Sequence, residues 1–239
     1  MPVLRLFTFI VSCLWLASAQ AACEKIRVNG EHNWFDVSYR VNAQAPLQGL
    51  AVDLANRVFA DVGIDVEYQA MVPWKRQFLQ LETGDLDVVI AAFYNQQRGS
   101  KFVFSDAVGV EYSTAFIHKE QSAAFSGLES LEGKRGIQML GSSFGDQFDS
   151  YAKQNLTIST MDDLDRAIKL IALKRADYLL YATHGGRLKI ADTEYADVLV
   201  DMQPSISEQN IYMVMSKSSP CLEHLDEINR AIRRNRDNF

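Results

Sequence analysis

The sequence predicts an α/β protein of two lobes, each a mostly parallel sheet flanked by helices, with extended segments joining them. Three observations carry this reading. Short β-rich runs alternate with helical patterns along the chain, as in layered α/β folds. The runs "LDVVIAAF" and "DYLLYA" are almost continuously apolar, as expected of strands covered on both faces. The alternation also restarts at "KRGIQML", after the long segment "FSDAVGVEYSTAFIHKE".

In chain order, the leader comes first. Arg5, an apolar run from Leu6 to Leu16, and small residues at Ala17, Ala19, Ala21 and Ala22 make residues 1–22 a secretory signal peptide, too short in its apolar part to span a bilayer. Cleavage at Ala19-Gln20-Ala21 places the protein in the periplasm. "KIRVNG" is then a first strand. "GLAVDLANRVFADVG" is a helix with Leu50, Leu54, Val58 and Val62 at helical spacing, stopping at Gly63. "IDVEYQ" is a strand, and "PWKRQFLQLETG" a helix opened by Pro73 with Trp74, Phe78 and Leu81 on one face. After the strand "LDVVIAAF", "YNQQ" reads as a polar turn before Arg98, and "FVFSD" as a strand ending at Ser105 and Asp106.

In the second block "KRGIQML" is a strand and "GSSFGDQFDSYAKQ" a glycine-led turn into a helix. "MDDLDRAIKLIALKRA" is a helix with acids in its first turn and Lys174 and Arg175 in its last. "DYLLYA" is a strand, "THGGRLK" a polar turn, "QNIYMVMSK" the final strand, and "SPCLEHLDEINRAIRR" a closing helix. Segments near Glu111–Ile117 and Ser207–Met213 are the expected crossovers. Residues 23–113 and 207–239 then form the first lobe, and 114–206 the second.

The formal net charge is −6, and about −7 once the leader with Arg5 is removed. Lys and Arg are dispersed, so no basic stripe is present for nucleic acid. The four histidines have no paired ligand spacing, which argues against a metal site. No Gly-x-Ser-x-Gly elbow occurs. Beyond the leader two cysteines remain, Cys23 and Cys221, an even pair that suggests a disulfide in an oxidising compartment. Lipid modification of Cys23 is the competing outcome, with Gln20 a poor residue for it.

Ligands of open α/β sheets sit outside the carboxyl ends of the strands. Those ends bring up Glu31 and Trp34 after the first strand, Trp74 after the second, and Phe93 and Tyr94 after the third. In the second block they bring up Ser142 and Ser143, then Ala182 and His184. A helix start preceded by Gly141-Ser142-Ser143 presents backbone N–H groups that suit an anion, although either serine can equally be a plain helix cap.

The stretch from "QGLAVDLANRVFADVG" to "YNQQRGSKFVFSD" resembles the first lobe of the bacterial extracellular solute-binding proteins of family 3, the polar amino-acid type. The shared features are a Gly-x-x-x-Asp helix opening, a Trp before the second helix, a Gly-Asp-Leu-Asp turn, and an Arg followed by Phe-Ser-Asp. The similarity continues through "KRGIQMLGSS" and "ALKRADYLLYA". It implies the two-lobed periplasmic-binding-protein (type II) fold with a two-strand hinge, and a monomer without cofactor that is not an enzyme. Such a protein closes on a carboxylate-bearing ligand for an ABC permease or a sensor.

By the same resemblance Arg98 grips the carboxylate, Ser142 and Ser143 meet it from the second lobe, and Trp34 and Trp74 are aromatic walls. Two positions depart from the family pattern. Ala182 stands where an aspartate normally pairs with the ligand's ammonium, and Phe93 where a small hydroxyl residue is common. Glu31 is the candidate replacement for the missing charge. The expected ligand is therefore an organic anion or an aromatic or modified amino acid. The alternative is a secreted enzyme on the same scaffold, similar to cyclohexadienyl dehydratase, with Glu31 and His184 as its only acid–base candidates.

Overall fold

A computed structural model describes residues 23–238; the expected signal peptide, residues 1–22, lies outside them. From Cys23 the chain enters strand β1 (Lys25–Asn29) and a small hairpin, β2 (Asn33–Trp34) with β3 (Ser38–Tyr39). Helix α1 (Leu50–Val62) buries Leu54, Ala55, Val58 and Phe59 on one face. The helical spacing of those apolar residues is what lets one side enter the core while Asp53 and Asn56 stay out. Strand β4 (Asp65–Tyr68) pairs in parallel with β1. Helix α2 (Trp74–Thr83) starts after Pro73 and ends at Gly84. Strand β5 (Val88–Phe93), buried at every residue, lies parallel to β1 on its other side.

A short helix of six residues, α3 (Gln96–Lys101), follows where the sequence suggests a polar turn. The next strand, β6 (Val103–His118), runs unbroken for 16 residues, so Ser105 and Asp106 lie inside it and do not end it. The second lobe adds β7 (Arg135–Met139), α4 (Asp146–Asn155), β8 (Thr157–Met161), α5 (Leu164–Ala172), β9 (Tyr178–Ala182), α6 (Thr183–Ala191) and β10 (Leu199–Asp201). The chain returns through β11 (Ser207–Met215) and ends in α7 (Leu225–Asn235), which packs on α1.

One sheet passes through both lobes in the order β4-β1-β5-β11-β6-β9-β7-β8, with β10 also on β6. The outer pairs of each lobe are parallel; the pairs made by β6 and β11 are antiparallel. Along β6 the partners change at Ser113, which faces Ser207 of β11 and also Ala182 of β9. The return segment stays bonded to this point, with Met202 N donating to Ala115 O and Ile206 N to Ser113 O, both at 2.8 Å. The two crossings are thus adjacent, the geometry of a two-strand hinge.

Strands β8 and β10 and helix α6 are absent from the sequence reading. Helix α6 hides behind Gly185-Gly186, which reads as a turn. A Cβ at Gly186 would lie 2.2 Å from the Phe116 ring, so glycine is there to let the helix approach the sheet.

Beneath the first lobe, Arg27 donates to both oxygens of buried Asp87, at 2.7 and 3.0 Å, and its backbone N–H adds a third bond at 2.9 Å. Burial pushes the Asp87 carboxyl up, but the bonds from Arg27 outweigh it and hold the group below the usual carboxylate range. A depressed value stabilises the fold above the ordinary carboxylate pKa, and that contribution is lost as pH falls through the folded value. Asp87→Ala is expected to cost about 3 kcal/mol, the low end for a broken buried pair because Arg27 is half-open. Urea titrations of both proteins at neutral pH and near pH 3 check this, and the difference should shrink at the lower pH.

Candidate ligand-binding cleft

A cavity of about 540 Å³, counted out to its mouth, lies where the strand ends of the two lobes face each other. From the first lobe it is walled by Glu31, Asn33 and Trp34 after β1, Ala92 and Phe93 at the end of β5, Trp74 opening α2, and Arg98 on α3. The second lobe supplies Met139 after β7, then Ser142, Ser143 and Phe144, and Tyr181 with Ala182 at the end of β9.

Arg98 is aimed by its own short helix. The Asn95 side chain caps α3 by accepting from Arg98 N at 2.8 Å, which fixes the turn that carries the guanidinium. Nη1 donates to Phe93 O at 2.8 Å and Nη2 reaches across the cleft to Gly141 O at 3.2 Å. The guanidinium carbon lies 4.4 Å from the centroid of Phe78 and 5.7 Å from that of Trp74. Burial brings its pKa down to about 10, against the pull of Asp149 and Glu31, so it stays charged at neutral pH. Those two carboxylates act on it only from a distance. A part-buried cation with spare donors and no ion-pair partner among the described residues is a site prepared for an anion.

Glu31 stands in the same cavity. Its Oε1 accepts from His32 N at 2.8 Å and Asn33 N at 3.2 Å. Burial pushes its carboxyl up; the His32 and Asn33 N–H groups and the charge of Arg98 pull it back only in part. The cleft therefore has a basic pole and an acidic one. Between them Trp34 and Phe93 meet edge to face with centroids 5.0 Å apart, and Trp74 meets Phe78 in the same way at 4.9 Å.

The serines do less than the sequence suggests. Helix α4 begins at Asp146, with Gly145 as its cap, so Ser142 and Ser143 precede the helix and do not open it. Asp149, on the first turn of α4, folds back and takes the hydroxyl of Ser143 at 2.5 Å and Phe144 N at 2.9 Å. Ser143 also accepts from Asn95 Nδ2 of the other lobe at 3.1 Å. The N–H of Ser142 goes to Met139 O at 3.1 Å. An internal carboxylate thus occupies donors that the sequence assigns to a ligand. Ser143 becomes a contact between lobes, and Ser142 offers its hydroxyl.

Two expected residues stand outside the wall. Tyr94 is exposed and packs edge to face on Phe104, with centroids 5.1 Å apart. His184, on α6, turns to the rim and meets Asp36 of the first lobe at 3.3 Å. Ala182 is in the wall, and no acid accompanies it at the end of β9. Tyr181 was missed: it is buried, its phenol completes no hydrogen bond among the described residues, and burial pushes its ionisation well up. The only signal for it was its place one residue before a strand end, in a run that reads as plain core.

The lobes touch at several points. Besides the bonds of Arg98 and Asn95, Gln96 N donates to the Asp146 carboxylate at 3.0 Å. This is a closed arrangement with the cavity held inside.

Two α/β lobes strung on a shared sheet, with a charged cleft between them, define a ligand-binding protein of the two-lobed type. The chain belongs to the bacterial extracellular solute-binding proteins, family 3, whose profile matches residues 26–238. Solved structures agree in fold. An ancestral arginine-binding protein bound to glutamine superposes with a TM-score of 0.73 at 22% identity, covering 88% of this chain and 91% of that one. A histidine kinase sensor domain with similarity to periplasmic binding proteins gives 0.75 at 20% identity, over 89% and 90%. An ancestral amino-acid-binding protein described as a precursor of cyclohexadienyl dehydratase gives 0.71 at 19% identity, over 88% of each chain. Comparison with curated protein sequences returns no match.

Proposed function

We propose that the protein captures a small amino-acid-like ligand by closing its lobes around it, in the periplasm after loss of residues 1–22, as a monomer serving an ABC permease or a sensor. The lobes that move are residues 23–113 with 207–239, and 114–206. The observation that carries this reading is the unpaired guanidinium of Arg98 inside a closed cleft. A ligand carboxylate completes it. Glu31 supplies, from the first lobe, the charge whose absence at Ala182 points away from amino acids. An ammonium placed against Glu31 restores the ionised form that burial disfavours. Trp34, Phe93 and Trp74 cover the apolar part of the guest. The sensor output has a relative in the fold, a histidine kinase sensor domain, and an arginine-binding protein shares the fold as well.

Isothermal calorimetry against α-amino acids, hydroxy acids and dicarboxylates tests the reading. Micromolar or tighter binding of a compound with both a carboxylate and an amino group is expected, with 1:1 stoichiometry. Tight binding of carboxylates that lack the amino group, and of none that have it, overturns the assignment of Glu31.

One observation favours a second reading. A carboxyl whose pKa burial raises is also a candidate general acid, and a structural relative is the precursor of a dehydratase. Incubation with prephenate and arogenate separates the two readings. No product is expected, and turnover lost in Glu31→Gln would replace capture with catalysis.

A further inference from the structure

Glu111 is a buried carboxylate that ligand capture does not use. It lies on β6, two residues before the strand exchanges lobes, opposite Gln209 of β11. Its Oε1 accepts from its neighbour's backbone, Tyr112 N, at 3.0 Å. The antiparallel pairing of Ser113 with Ala182 sets His184, in the first turn of α6, across from Glu111. The backbone N–H of His184 and the indole N–H of Trp34 in the cleft wall both approach the carboxyl, from opposite lobes, without completing a hydrogen bond. The indole Nε1 is buried and reaches no acceptor in full hydrogen-bond geometry, with this carboxylate the acceptor in front of it.

The same two elements touch beside it. His184 meets Asp36, and Gly185 lies so close to the hairpin that a Cβ there would come within 2.7 Å of Phe35 O. The contact joins α6 of one lobe to the β2–β3 turn of the other.

We propose that Glu111 is a positioning residue for the ligand wall: closure docks the first turn of α6 onto it, and Glu111 then fixes Trp34 against the cleft. The inference rests on the reading of a cleft that closes, and it deepens that reading by naming what senses closure. The groups facing Glu111 are His184 from α6, Trp34 from β2 and Tyr181 from β9, with Glu31 beyond Tyr181. None of these is a fixed cation, so shutting the cleft buries the carboxylate at a cost. Burial pushes its carboxyl up, against the Tyr112 and His184 N–H groups and Trp34. A group whose pKa is raised in the closed state favours closure below its open-state value, and that contribution fades as pH rises through the closed-state value.

The test is the distance between spin labels on Leu79→Cys and Lys153→Cys, one in each lobe, measured on the ligand-free protein between about pH 4 and 8. In the parent the short-distance population should grow as pH falls. Glu111→Gln, which keeps an acceptor without the charge, should hold that population at every pH. Glu111→Ala and Gly185→Ala should show only the long distance, with melting temperatures near the parent's because the changes act between lobes. Glu31→Gln in the same labelled protein removes the carboxyl of the cleft wall, and the pH response should persist. A parent distance that ignores pH, a Glu111→Gln protein that behaves like Glu111→Ala, a Gly185→Ala protein that still closes, or a pH response lost with Glu31 overturns the proposal. Failure of the capture reading is seen separately, as a protein that closes but binds nothing in the calorimetric panel.

Discussion

Arg98→Gln is expected to abolish measurable ligand binding while leaving the empty protein as stable as before, or more so. Both halves follow from one feature, a part-buried guanidinium whose hydrogen-bond acceptors among the described residues are the carbonyls of Phe93 and Gly141. Removing one partner of a buried charged pair costs about 2–5 kcal/mol of binding, roughly 30-fold to several thousand-fold in affinity. In the empty protein the same cation is a burden, because an unpaired charge held away from water is costly. Thermal melts with and without ligand read both effects. In the parent, ligand at about 100 times its Kd adds about 2.7 kcal/mol to stability, and at the same concentration the variant should gain less than about 1 kcal/mol. Arg98→Lys separates charge from geometry: it keeps the cation but loses the planar fork, and it should recover only a small part of the affinity. A variant that melts lower when empty and still gains stability from ligand would falsify the assignment, making Arg98 a structural residue.

How far the sequence carried depended on whether local chemistry or long-range packing decided each feature. Helices α1, α2, α5 and α7 and strands β1, β5, β7, β9 and β11 carry their own signals: periodic apolar residues, Pro73 at a start, Gly63 and Gly84 at stops. Arg98 on its own reads as a surface cation before a strand, and only its place in the family-like pattern made it a cleft candidate; it does stand in the cavity wall. Helix α6 was not legible, since its two glycines serve contacts with Phe35 and Phe116, which are distant in sequence. Ser142 and Ser143 were half-legible. Their place at the cleft was visible, but Asp149 turning back to take their loop's donors depends on the pitch of α4 and on Gly145 starting it. Glu31 was a candidate with unknown direction, and only the turn of His32 and Asn33 over its Oε1 orients it. Tyr181 and Glu111 were out of reach, because a buried polar group in an apolar strand announces itself only through the partners it lacks.

Loss of the Cys23–Cys221 disulfide is expected to be the most damaging change that does not touch the cleft. The bond joins residues 198 apart, with Cα atoms 4.9 Å from each other, and ties the start of β1 to the turn of Pro220–His224 that leads into α7. In the chain-entropy account, closing a loop of that size constrains the unfolded chain by about 5 kcal/mol, a third or more of a typical domain's stability. For a chain of this length that corresponds to a fall of about 10–20 °C in melting temperature. The pair Cys23→Ala, Cys221→Ala removes the bond without leaving a polar group in the buried site of Cys221. Ligand affinity at 25 °C should stay within about threefold of the parent, since distant sites with no shared partners act independently. Thiol titration of the denatured parent decides whether the bond forms in the mature protein. No free thiol and no added lipid mass on Cys23 are expected, whereas a lipid on Cys23 with a free thiol at Cys221 would mean that the amino terminus is anchored to a membrane and the first strand is held by its ladder alone.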